Sequence, residues 1–225
     1  MKSKYNLTFC LIFSVFIFLF ANSIFAAPTK NHSQPTKTNN TTQTQRRPWG
    51  IFIYQGKMTN KRLNQVLRFD IGMREATLTS LELSYKLAKK NILSRIVNYI
   101  GADFFVAING TYQDDPQGNI YEFNPYFGLT WSRFPWNKYV FTALSIGEGV
   151  SYASTIPDRE LRTASHAENA KKLLNYLMFE AAFALPKYPN FQIAYRIHHR
   201  SACFGVYRSS NSGSTAIGIG LRYLF

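Results

Sequence analysis

The stretch Thr215-Ala216-Ile217-Gly218-Ile219-Gly220-Leu221-Arg222-Tyr223-Leu224-Phe225 alternates from end to end. Successive side chains of a β-strand point to opposite faces. Thr215, Ile217, Ile219, Leu221, Tyr223 and Phe225 therefore share one face, and Ala216, Gly218, Gly220 and Arg222 share the other. The first face is large, apolar and aromatic. The second is small, with one cation. A water-exposed sheet carries a polar outer face, which this strand lacks; lipid outside and a crowded lumen inside account for both faces.

Working outward from this strand, the same pattern recurs over about 49–58, 76–88, 101–112, 119–131, 139–152, 172–185 and 190–203, with 214–225 as the last. These segments predict an all-β fold, an eight-stranded antiparallel transmembrane β-barrel whose interior is just wide enough to be filled by side chains. The terminal aromatic, Phe225, resembles the assembly signal of outer-membrane barrels. With both ends of the barrel on the periplasmic side, Trp49, Trp131 and Trp136 fall at one rim, joined by Phe134, Tyr139, Tyr223 and Phe225. Such rings prefer the boundary between headgroups and hydrocarbon. Pro135 lies in the turn between strands four and five, where its missing N–H costs nothing.

The start of the chain sets the compartment. Lys2 and Lys4 precede an apolar run from Phe9 to Phe20, broken by Ser14, and then a small-residue stretch from Ala21 to Ala27. That order predicts a signal peptide over residues 1–26. Residues 27–47, almost free of large apolar side chains, predict a disordered periplasmic lead-in to a barrel over 48–225. Past the leader only Cys203 remains, so no internal disulfide is available. Without Lys2 and Lys4 the chain carries 24 Lys and Arg against 12 Asp and Glu, a net +12. In an exported chain this excess points to an anionic membrane surface and away from nucleic acid. His32 and His166 have no ligand-forming neighbours at useful spacing, and no metal site is expected.

The seventh strand reads Phe191-Gln192-Ile193-Ala194-Tyr195-Arg196-Ile197-His198-His199-Arg200-Ser201-Ala202-Cys203. Gln192, Arg196, His198 and Arg200 belong to the lumen, where Arg196 and His198 are expected to meet acids such as Glu122 and Glu180. The opposite parity carries His199, Ser201 and Cys203 outside, near the extracellular end. A histidine and a serine two apart on a strand have Cα atoms about 7 Å apart and lean toward one another, as a base and a hydroxyl nucleophile must. Polar groups facing lipid are expensive and call for a function. The bland alternative is a polar pair hydrogen-bonded at the headgroup level, with Cys203 a small lipid-facing residue.

His199-Arg200-Ser201, followed by a small-residue turn and a last strand closed by Phe225, resembles the outer-membrane lipid A 3-O-deacylases of the PagL type. The resemblance is specific over about 195–225. It implies an eight-stranded barrel whose site faces the outer leaflet, with Ser201 as nucleophile, His199 as general base, and no metal or cofactor. Two positions depart from that family. Ala202 stands where it has an asparagine directly after the serine, and no acid follows Glu180, although the family's acid lies about a dozen residues past the serine. Glu148, in Ile146-Gly147-Glu148-Gly149-Val150, has outward parity near the end of strand five. It lies two strand steps from His199, roughly 10 Å, unless a bulge at Gly147 or Gly149 closes the gap. A Ser–His dyad and a backbone carbonyl orienting His199 are the other options.

The resemblance implies hydrolysis of an ester-linked acyl chain of lipopolysaccharide. Lys57, Lys61, Arg62 and Arg68, around the first extracellular loop, are the expected partners for the lipid A phosphates. The alternative from a different class is a non-catalytic small barrel, an anchoring or surface-interaction protein with a filled lumen. A pore is disfavoured because eight strands leave little channel.

Overall fold

Eight strands form in chain order: β1 (Trp49–Thr59), β2 (Met73–Lys86), β3 (Asp103–Asp115), β4 (Gly118–Trp131), β5 (Phe141–Ala153), β6 (Leu173–Ala184), β7 (Phe191–Ser201) and β8 (Gly213–Leu224). The computed structural model describes residues 47–164, 170–203 and 213–225. The expected signal peptide, the lead-in except Arg47, His32 and His166 lie outside those residues. Each strand pairs antiparallel with the next, and β8 returns to β1 to close the barrel. At that seam Gly218 faces Gly56, and a Cβ on Gly218 would land on the Gln55 carbonyl oxygen. Only glycine lets the two backbones meet there.

The outer wall is an apolar belt. Ile53, Leu81, Ile108, Phe123, Ile193 and Leu221 are all exposed on it. A patch of this extent is not sustained in water, whereas a bilayer solvates it. No helix among the described residues is long and apolar enough to cross a membrane; the strands do the crossing. β1 begins and β8 ends at one rim, here the terminal rim; the opposite one is the far rim. Trp49, Trp131 and Trp136 all sit at the terminal rim. Trp49 packs on Tyr85 at 4.7 Å, and Trp136 stacks on Phe134 at 4.9 Å.

The inward parity fills the lumen. Arg196 lies between Glu82 and Glu180, 2.7 Å from the latter, and Arg222 pairs with the same two acids. The guanidinium groups of Arg196 and Arg222 stack over the Phe52 ring at 4.3 and 4.7 Å. Nearer the far rim His198 meets Glu122 at 3.0 Å. Buried charges are tolerable only in such mutual company. The pairings expected of His198, Arg196, Glu122 and Glu180 are the ones found.

Short helices appear in the connections, where the sequence carries too few turns for a periodic signal. They are α1 (Leu63–Val66), α2 (Ile92–Asn98) and α3 (Asp158–Thr163), with a 3-10 turn at Pro135–Lys138. α3 folds into the far mouth as a stopper. Its Glu160, fully buried, accepts from Arg200 Nε at 2.9 Å and from the Ser214 hydroxyl at 2.7 Å. Asp158 at its start accepts from Arg162 Nε at 2.8 Å and from the Arg74 guanidinium at 2.9 Å. These hydrogen bonds, Arg162's foremost, hold the Asp158 carboxyl below its ordinary value of 3.8. A depressed folded pKa contributes stability above the ordinary value and loses it as pH falls through the folded one. Pepsin should therefore leave α3 intact near about pH 5 and cut it increasingly below pH 3.8. Asp158→Asn should be cut already near about pH 5; equal protection at both pH values would refute the docking role of Asp158.

Candidate active site

His199 is where its parity put it, on the outer wall one step below the end of β7. The cross-strand register builds a row around it: Glu148 on β5, Leu177 on β6, His199 on β7, Thr215 on β8 and Thr59 on β1. Two residues farther toward the far rim, Ser201 stands opposite Asn175 of β6 and Gly213 of β8. The outer wall thus gathers His199, Ser201, Thr215, Asn175 and Glu148 over four neighbouring strands.

The contacts divide this group. His199 Nδ1 is bonded to Thr215 Oγ1 at 2.8 Å. With Thr215 accepting from Nδ1–H, the lone pair falls on Nε2, the tautomer a general base needs. Thr215, on the final strand, thus presents a hydroxyl to the imidazole. Ser201 Oγ accepts from the Cys203 backbone N–H at 3.1 Å, and no hydrogen bond joins it to His199 among the described residues. Catalytic hydrogen bonds often tighten only when substrate is present.

Glu148 does not reach His199. The registers of β5 with β4 and with β6 run on either side of it without a bulge, so Gly147 and Gly149 supply none. Leu177 stands between the two, and Glu148 Oε2 is buried with no hydrogen-bond partner among the described residues. The expectation that Glu148 completes a triad is corrected on this ground: sheet spacing alone keeps it two strands away. Cys203 is corrected as well. β7 ends at Ser201, and Cys203 is buried beyond it with φ of +44°, on no lipid-facing strand.

Two residues with a place in the site were not singled out from sequence. Thr215 was read only as part of a lipid-facing alternation. Asn175 is 5% exposed, and among the described residues its Nδ2 has no hydrogen-bond partner. Its Cβ lies directly across from that of Ser201, about 5 Å away in an antiparallel pair. The available signal was an asparagine at outward parity in Leu173-Leu174-Asn175-Tyr176-Leu177, a polar residue on an otherwise apolar face.

The expected phosphate ligands scatter. Lys57 is on the β1 wall, level with Ile217, and not in the loop. Lys61 is 2.7 Å from Asp70 and so partly neutralised. Arg62 opens α1, its backbone N–H donating to Gln65 Oε1 at 3.1 Å, and Arg68 follows α1, exposed. α1 itself lies on the barrel: Leu63 and Val66 pack on Ile197, Ile217 and Phe179, the apolar strip just below His199. Arg159 of α3 ties this loop down, donating to the Thr59 carbonyl and, at 2.9 Å, to that of Lys61. No group of metal-ligating side chains occurs among the described residues.

No protein-family model matches the sequence, and no curated protein does. Among solved structures, the chain is similar to the outer membrane enzyme PagL at 13% identity, over 78% of this chain and 99% of that one, with a TM-score of 0.48. It is similar to Neisserial surface protein A at 11% identity, over 79% and 96%, with a TM-score of 0.45. Ail of Yersinia pestis matches at 12% identity, over 80% and 100%, with a TM-score of 0.38. These neighbours include an enzyme, a surface protein and an attachment protein.

Proposed function

We propose that this chain is an outer-membrane hydrolase that removes an ester-linked acyl chain from lipid A in the outer leaflet, exported by a signal peptide over residues 1–26 and joined to its barrel by the lead-in 27–47. The observation that carries the reading is the outward-facing His199, its Nδ1 held by Thr215, one step from Ser201 and from the unpartnered amide of Asn175. Substrate approaches from the side, its acyl chain along the apolar wall beside α1. Arg68, Lys57 and the exposed Lys171 and Lys172 face the phosphates from the rim.

Ser201 Oγ attacks the ester carbonyl while His199 Nε2 takes its proton. The carbonyl oxygen, now an anion, accepts from Asn175 Nδ2, a donor that makes no other bond. The C–O bond to the sugar breaks as His199 returns the proton to the leaving hydroxyl. Water then attacks the acyl-serine with His199 as base; the bond to Ser201 Oγ breaks, His199 returns the proton to that oxygen, and the fatty acid leaves. The competing reading, a non-catalytic barrel, draws on the Cys203 N–H bond that engages Ser201 Oγ.

Purified barrel in detergent with lipid A should release free fatty acid, followed by mass spectrometry. Asn175→Leu, similar in volume but without the amide, should lower kcat about 100-fold or more and leave KM nearly unchanged. Glu148→Gln should leave the rate within about twofold, since Leu177 separates it from His199. No fatty acid from the wild-type barrel would overturn the hydrolase reading. A full rate from Asn175→Leu would remove only the oxyanion role.

A further inference from the structure

The terminal rim is chemically unlike the far rim. Its connections, 87–102, 132–140 and 185–190, carry Lys89, Lys90, Arg95, Arg133, Lys138 and Lys187 and no acidic side chain. The far-rim connections mix signs, with Asp70, Asp158 and Glu160 among their cations. The terminal-rim cations alternate with apolar and aromatic groups that stay in the open: Tyr99 is 94% exposed, Tyr139 70% and Leu185 67%. Lys138 Nζ lies 4.7 Å from the centre of the Tyr139 ring, and Lys187 Nζ lies 5.6 Å from that of Tyr188.

α2 shows where this surface leads. Asn91 caps it by accepting from the Leu93 N–H at 3.0 Å, and Ser94 is its buried side. Ile92 and Leu93 are exposed beside Lys89, Lys90 and Arg95, a combination that is costly in bulk water and favourable at a lipid interface. The far end of this segment is pinned outward. Trp131 on the outer wall donates its Nε1–H to the Ile100 carbonyl at 3.2 Å, and Arg133 donates to Asn98 Oδ1 at 2.6 Å. Trp131 neighbours the Phe104–Phe127 stack of the apolar belt. The basic segment is thus continuous with the surface that lipid tails already cover, and it begins where those tails reach their headgroups.

We propose that the terminal rim, with α2 lying along the interface, binds the phosphate headgroups of anionic phospholipids in the leaflet on that side. Apolar side chains of α2 and Tyr99 enter the leaflet, while the lysines and arginines reach the phosphates from above their aromatic neighbours. A solvated charge run would carry acids among its bases and would not expose Ile92, Leu93 and Ile100 together. The continuity with the belt favours a membrane over a soluble polyanion or a cell-wall polymer. The inference is independent of the hydrolase reading.

The full chain is reconstituted with an equimolar mixture of phosphatidylcholine and phosphatidylglycerol, and retained lipid is read by native mass spectrometry. Phosphatidylglycerol should be enriched about tenfold, and the enrichment should shrink as salt is raised. Lys89→Gln/Lys90→Gln/Arg95→Gln should abolish it; heat modifiability confirms that the variant folds. Tyr99→Ser/Ile100→Ser should weaken retention with the cations intact. Equal retention of both lipids, enrichment unchanged in the triple variant, or capture by isolated peptidoglycan without lipid preference would each overturn the proposal.

Discussion

Ser201→Ala and His199→Ala should each reduce fatty-acid release from lipid A by about 10³-fold or more, while both proteins still assemble and shift on heating. Neither side chain is packed into the lumen, so the loss falls on chemistry and not on folding. If serine and imidazole act as one unit, the double variant is hardly slower than either single one. Thr215→Val separates orientation from base strength. Without its hydroxyl the imidazole loses the 2.8 Å partner on Nδ1, and kcat should fall while its pH profile changes shape, an effect that lost packing alone would not produce. Wild type and Ser201→Ala giving identical lipid A acyl patterns, with both present in the membrane, would end the hydrolase proposal and favour the non-catalytic barrel.

Arg196→Met should be the most damaging single change to stability. Arg196 is buried between Glu82 and Glu180, and Tyr126 donates to Glu82 at 2.7 Å in the same network. Removing the guanidinium leaves two buried carboxylates to share Arg222, and breaking a buried pair in this way costs about 3–5 kcal/mol. Urea unfolding of the reconstituted barrel reads that loss. Arg196→Met/Glu180→Leu should recover much of it, because Arg222 and Glu82 then balance one another. Lys61→Met, which removes the half-exposed pair with Asp70, should cost less than about 1 kcal/mol. An Arg196→Met loss no larger than that of Lys61→Met would show that the lumen ladder contributes nothing to stability.

Much of the architecture was legible because strand alternation is a local property. Within Phe191–Ser201 the period of two sends Arg196 and His198 inward and His199 and Ser201 outward with no knowledge of any other strand. The aromatic girdle was legible for the same reason, since Trp49 opens β1, Trp131 closes β4 and Trp136 lies in the short turn that follows it. The short helices were not, because α1 offers only Leu63 and Val66 at helical spacing, and neither shows from sequence that it packs on Ile197 and Ile217.

The sequence by itself determined the strand count and the faces of the strand side chains, and it singled out His199 and Ser201, the pair on which the proposed chemistry rests. What only the tertiary structure decided is who stands beside that pair. Register sets the neighbours of His199 across the sheet: Thr215, sixteen residues away, meets its Nδ1, while Leu177 keeps Glu148 off. The same register brings Asn175 opposite Ser201, and tertiary packing lays α1 against the strip below. Parity is written into each strand by its own backbone. Register is a relation between strands, fixed only when the closed barrel aligns segments whose spacing along the chain records nothing of their contact.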